Sequence, residues 1–104
     1  MEAKQFIYVL KLRQDLLKDE NWTKFDEKKV EEHFIRLKRD TEAGKVILAG
    51  RTLTDENPEG FGIVIFREDS IEKAREYMQE DPSVKSGVMT ATLYPYKVAL
   101  QSKN

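Results

Sequence analysis

The order of apolar and turn-forming segments predicts an α+β fold of ferredoxin-like topology, βαββαβ, with two helices on one face of a four-stranded antiparallel sheet. Three observations carry this expectation. Runs rich in β-branched and aromatic residues recur four times, helical patterns follow the first and third of them, and only a turn-rich loop separates the second from the third.

Phe6-Ile7-Tyr8-Val9-Leu10-Lys11-Leu12 reads as the first strand, and the polar stretch Arg13 to Asn21 as a charged loop. Thr23, with Asp26 three residues on, resembles a capping box and opens a segment free of Gly and Pro up to Gly44, so the first helix is expected over Thr23 to Ala43. Val30, Phe34, Leu37 and Thr41 recur at helical spacing as its buried stripe, and Gly44 supplies the stop. Trp22 is placed to staple the helix start. Lys45 to Gly50 is the second strand. Asp55, Asn57, Pro58 and Gly60 then mark a loop, and the third strand, Phe61 to Phe66, is expected to run antiparallel to the second. Asp69 or Ser70 caps a second helix with Ile71, Ala74 and Met78 on one face, which Asp81-Pro82 ends. Val88 to Leu100 is the fourth strand, and Pro95 within it points to an edge position or a bulge.

Charge and composition narrow the function. With 18 basic and 19 acidic residues, the chain lacks the positive excess by which nucleic-acid-binding proteins neutralise phosphates. It has no cysteine, which removes disulfides, thiolate nucleophiles and cysteine-bound metals, and one histidine, so a multi-histidine site would need a second subunit. The run Phe6 to Leu10 is too short for a signal-peptide core or a membrane span. The expectation is one cytoplasmic domain over residues 1–104 with no membrane contact. Phe61, Ile63 and Ile65 alternate with Gly62, Val64 and Phe66, so both sides of the third strand are apolar. Two helices cover one side only, and an identical sheet is the simplest cover for the other, which predicts a homodimer through the open sheet face.

Two families share this outline. Ile7 to Leu12 and Gly60 to Phe66 resemble the strand signatures of the RNA-recognition motif, which set aromatic rings on an open sheet to stack bases. Here Lys11 replaces an asparagine, Glu59 stands in place of a basic residue and Ile63 in place of a ring, so RNA is the third reading. The more extensive resemblance is to the YciI-like (YCII-related) family. It runs from the first strand through His33, Gly44-Lys45-Val46-Ile47-Leu48-Ala49-Gly50, Gly62, Ala74, Asp81-Pro82 and Gly87, and departs from the family pattern at Arg51, where proline is usual. The resemblance implies a dimeric α+β barrel, a cleft between helices and sheet, and a His and an Asp suspected of acid–base work. One relative class is associated with dechlorination of chlorinated hydroxyquinols, and the wider fold group includes muconolactone isomerases and small monooxygenases.

His33 falls about 60° from the middle of the apolar stripe, beside Lys29, Arg36 and Asp40. An imidazole at such a polar edge is the one side chain here suited to proton exchange near neutrality. Asp81 is positioned to orient it, as the acidic member of a His–Asp pair does, or simply to end a helix. Tyr8, Arg36, Gly50 and Arg51 are the candidate ligand-binding residues, for an anionic or phenolic small molecule. Gly60-Phe61-Gly62 is followed by no helix and is no dinucleotide loop, so no cofactor is implied. Two functions stay open: an enzyme using His33 and Asp81 on a small cyclic or phenolic substrate, and a non-catalytic ligand-binding or dimerisation module with the same pocket.

Overall fold

A computed structural model describes residues 3–53 and 59–103. The expected loop residues Asp55, Asn57 and Pro58 lie outside the described residues. The elements are β1 (Lys4–Leu12), α1 (Lys24–Glu42), β2 (Val46–Arg51), β3 (Gly62–Glu68), α2 (Ile71–Gln79), α3 (Pro82–Lys85) and β4 (Met89–Tyr96). Two short 3₁₀ turns, Gln14–Leu17 and Asp19–Asn21, occupy the stretch expected as a charged loop. The strands form one antiparallel sheet in the order β2-β3-β1-β4, the α+β arrangement expected from the sequence.

Alternation along β1 decides what each face does. Phe6, Tyr8 and Leu10 point to the helices and are buried with Val64 and Phe66 of β3, Val46, Leu37 of α1, and Ala74, Tyr77 and Met78 of α2. Four rings form the centre of this core. Phe66 meets Phe6, Tyr8 and Tyr77 at centroid distances of 6.0, 5.5 and 4.8 Å, within the range in which aromatic pairs attract. On the opposite face Ile7 pairs with Ile65 and Val9 with Ile63, flanked by Leu48 and Tyr94, so that side is aliphatic as the sequence indicated. Tyr8, the only ring that the RNA-like signature of β1 offers, has its side chain among the helices and is fully buried, where no base reaches it. Pro95 lies in β4, an edge strand, which spares the sheet a missing donor.

The caps explain where the helices start. Thr23 Oγ1 accepts from the Asp26 backbone N–H at 3.2 Å while Asp26 Oδ2 accepts from the Thr23 N–H at 3.0 Å, a complete capping box. Ser70, not Asp69, caps α2 through the Lys73 N–H. Asp81 does more than end α2: it is the N-cap of α3, with Pro82 at the first helical position.

Three expectations need correction. Of the stripe assigned to the core of α1, only Leu37 is buried; Phe34 is 65% exposed and Thr41 is exposed, because that side of the helix borders an open cleft and not the sheet. Trp22 does not staple α1, whose fourth residue is Glu27; its indole N–H donates to the Leu16 carbonyl at 2.8 Å, and the ring lines the same cleft. The fourth strand stops at Tyr96 and does not run on to Leu100, since pairing with β1 ends at Gln5.

Candidate functional site

The polar centre of the molecule is the carboxylate of Asp81. The chain turns from α2 into α3 directly beneath α1, and the N-cap conformation of Asp81 points its side chain back into the fold, where it has no exposure. Oδ1 accepts from the Ser83 backbone N–H at 3.0 Å and from the Ser83 hydroxyl at 2.8 Å. Oδ2 accepts from the Tyr8 hydroxyl at 2.7 Å. His33, one helix away, brings Nδ1 to 2.7 Å from Oδ1 and 2.8 Å from Oδ2. Burial alone would push the carboxyl of Asp81 up. The hydrogen bond and charge of His33, with the Tyr8 and Ser83 bonds, outweigh it and hold the group below the usual aspartate range.

An ionised carboxylate only accepts, so the proton in the His33–Asp81 bond sits on Nδ1. The Ser83 hydroxyl gives its proton to Asp81 Oδ1, and its 3.2 Å approach to Nδ1 makes it a second acceptor there. Whenever the imidazole is neutral, this arrangement fixes it in one tautomer. Its other nitrogen, Nε2, has no hydrogen bond among the described residues. Burial, followed by the Asp81 charge and hydrogen bond, pushes the Tyr8 hydroxyl well above the ordinary tyrosine range, so Tyr8 stays a donor.

The imidazole lines a cleft of about 1010 Å³ between α1 and the β2–β3 half of the sheet. Its walls are mostly apolar: Val30, Phe34 and Leu37 from the helix, and Leu10, Ile47, Val64 and Met89 from the sheet. Polar groups are few, namely His33, Lys38, Thr41, Glu42, Arg51 and Thr52. A mostly apolar concavity with a few placed polar groups is the usual form of a small-molecule site.

Of the residues singled out from the sequence, His33 and Asp81 are in direct contact, and Gly50 and Arg51 border the cleft. Tyr8 and Arg36, also singled out as ligand-binding residues, are not among the residues that line it. Tyr8 lies in the core behind Asp81. Arg36 stacks on the Tyr77 ring at 4.0 Å, and its Nη2 donates to the Tyr77 carbonyl at 2.8 Å. Tyr77 in turn donates to Asp40 Oδ2 at 2.6 Å, which ties α1 to α2 behind the site. Ser83 was not singled out. Its signal is the Asp-Pro-Ser order, in which an N-cap aspartate followed by proline places the next N–H and hydroxyl on that carboxylate. No group of three or more His, Asp or Glu side chains arranged for a metal occurs among the described residues.

The YCII-related domain model matches residues 8–96, which takes in every residue of this site. No curated protein matches the chain. Among solved structures, the 5-chloro-2-hydroxyhydroquinone dehydrochlorinase (TftG) from Burkholderia phenoliruptrix AC1100, in complex with 2,5-dihydroxybenzoquinone, has the same fold. It superposes with a TM-score of 0.66 at 19% identity, over 89% of this chain and 93% of that one.

Proposed function

Because the chain belongs to the YCII-related domain family, we propose that it is a small enzyme that moves protons on a cyclic, phenolic or acidic organic molecule held in the cleft. His33 is the acid–base group and Asp81 the residue that holds it. The observation that carries this reading is the single bond system at His33: Nδ1 is committed to a buried carboxylate, while the ring borders an apolar cleft. Nε2 takes a proton from the substrate, the imidazolium is stabilised by Asp81, and the proton is returned to another atom of the substrate or to water. A positioned acid–base group of this kind contributes about 10²–10⁴ in rate. The fold neighbour's ligand, 2,5-dihydroxybenzoquinone, is a hydroxylated ring, a class whose size suits a cleft of about 1010 Å³.

Two further parts of the reading concern the protein's setting. The aliphatic face of Ile7, Val9, Ile63 and Ile65 is the surface through which a homodimer forms. The reading places the protein in the cytoplasm as one domain; no helix among the described residues is long and apolar enough to cross a membrane. The test is solvent-deuterium incorporation into a panel of hydroxylated quinones, phenols and cyclic keto acids, with chloride release followed for chlorinated hydroxyquinols. Turnover of one class that falls by about 10²-fold or more in His33→Ala supports the reading. Turnover unchanged in that variant, or no turnover of any class, refutes it.

A further inference from the structure

We propose that the molecule taken by the cleft carries a carboxylate, and that Arg51 is the residue that selects it. The inference rests on the cleft being a small-molecule site and adds the charge of its occupant. Arg51 is the last residue of β2 and pairs with Gly62, which pairs on its other side with Leu10. A Cβ built on Gly62 would stand 3.8 Å from the Cβ atoms of both Arg51 and Leu10. The three positions therefore form one row on one face of the sheet, and Leu10 places that face toward the helices. The Arg51 side chain leaves the sheet on the cleft side. Gly62, lacking a side chain, keeps the space beside it open, and a Cβ there would also press to 3.3 Å on the Gly50 carbonyl.

Arg51 has no protein acceptor to satisfy it among the described residues. Other arginines do: Arg13 bonds Asp15, Arg36 the Tyr77 carbonyl, Arg39 Asp40, and Arg67 the Gly44 carbonyl. The remaining formal charges on the cleft, Lys38 and Glu42, lie one turn apart on α1 with opposite signs and offset each other. Among the described residues Arg51 is thus a cation on the cleft without an acceptor, at a position where the family pattern has proline. A guanidinium presents a planar fork of donors that matches a carboxylate. A ring bearing one carboxylate fits both the walls and the charge.

The experiment is an NMR titration of the full chain with 4-hydroxybenzoate and with its neutral isostere 4-hydroxybenzamide, in wild type, Arg51→Gln and Arg51→Lys. The expected result is a Kd about tenfold or more lower for the acid in wild type, the size of one partly exposed charge-assisted pair. Arg51→Gln abolishes that preference without changing the affinity for the amide, and Arg51→Lys keeps part of it. Equal affinities for acid and amide in wild type, or a preference unchanged in Arg51→Gln, overturn the inference and leave the cleft as a binding site. If neither probe shifts the resonances of His33, Phe34 and Ile47, the cleft reading itself fails and takes the inference with it.

Discussion

His33 Nδ1 lies 2.7 Å from Asp81 Oδ1, although 48 residues separate them in the chain. The contact exists because two local rules meet at one point: a helix that turns its polar flank inward, and an Asp-Pro-Ser turn that folds its carboxylate back as an N-cap. The predictions that follow test what this meeting does for stability, assembly and chemistry.

Tyr8→Phe keeps the ring in the aromatic core and removes one donor from a carboxylate with no exposure. The expected cost is about 1.5–3 kcal/mol, the range for a hydrogen bond to a charged group. Urea unfolding should show a lower midpoint with an unchanged slope. A variant as stable as wild type would mean that Asp81 does not depend on Tyr8.

Burial and a neighbouring carboxylate raise the hydroxyl of Tyr8, and likewise that of Tyr77, which donates to Asp40. A group raised in the folded state contributes stability that is complete below its unfolded value, about 10 for tyrosine, and is lost as the pH climbs towards the folded value. Above about pH 10 the folding free energy should fall by up to about 1.4 kcal/mol per pH unit for each of the two. Urea midpoints between pH 9 and 11, paired with tyrosinate absorbance, check this, and Tyr8→Phe should flatten the slope. An identical slope in the variant would contradict it.

Phe34 and Leu37 both line the cleft, but only Leu37 is also buried in the core. Leu37→Ala empties a buried position and should cost about 2–5 kcal/mol. Phe34→Ala, at a side chain 65% exposed, should change stability by no more than about 0.5 kcal/mol and weaken ligand binding instead. Equal destabilisation would show that the cleft closes over Phe34 in solution.

The aliphatic sheet face predicts light scattering at twice the chain mass at micromolar concentration. Ile63→Lys, which sets a charge beside Val9 on that face, should halve it. A wild-type monomer would remove the dimer from the proposal.

Period and punctuation were enough for the architecture. The β-branched and aromatic runs of β1 and β3, the Thr23–Asp26 box and Gly44 each act locally, so their consequences can be read locally. The site was legible in part. His33 could be placed on the flank of α1 from spacing, and Asp81 at a helix boundary, but their contact depends on how α1 crosses α3, which no local pattern encodes. Phe34 was misplaced for a related reason: an apolar stripe looks the same whether it meets a sheet or borders a cleft. Ser83 and the direct role of Tyr8 escaped because a buried carboxylate recruits donors from three separate segments. Tyr8 reads as a candidate ligand-binding residue on its strand until Asp81 is beside it.

The chain has a single histidine, so its imidazole nitrogens can be assigned without ambiguity. The most direct test of the acid–base account is a long-range ¹H–¹⁵N correlation spectrum of that ring at a pH where it is neutral, recorded with and without 4-hydroxybenzoate. The account predicts a protonated, pyrrole-type Nδ1 held by Asp81 and a bare, pyridine-type Nε2 whose shift moves when the ligand enters the cleft. A proton on Nε2, an averaged pair of nitrogens like those of free imidazole, or an Nε2 indifferent to a ligand that does bind would contradict it.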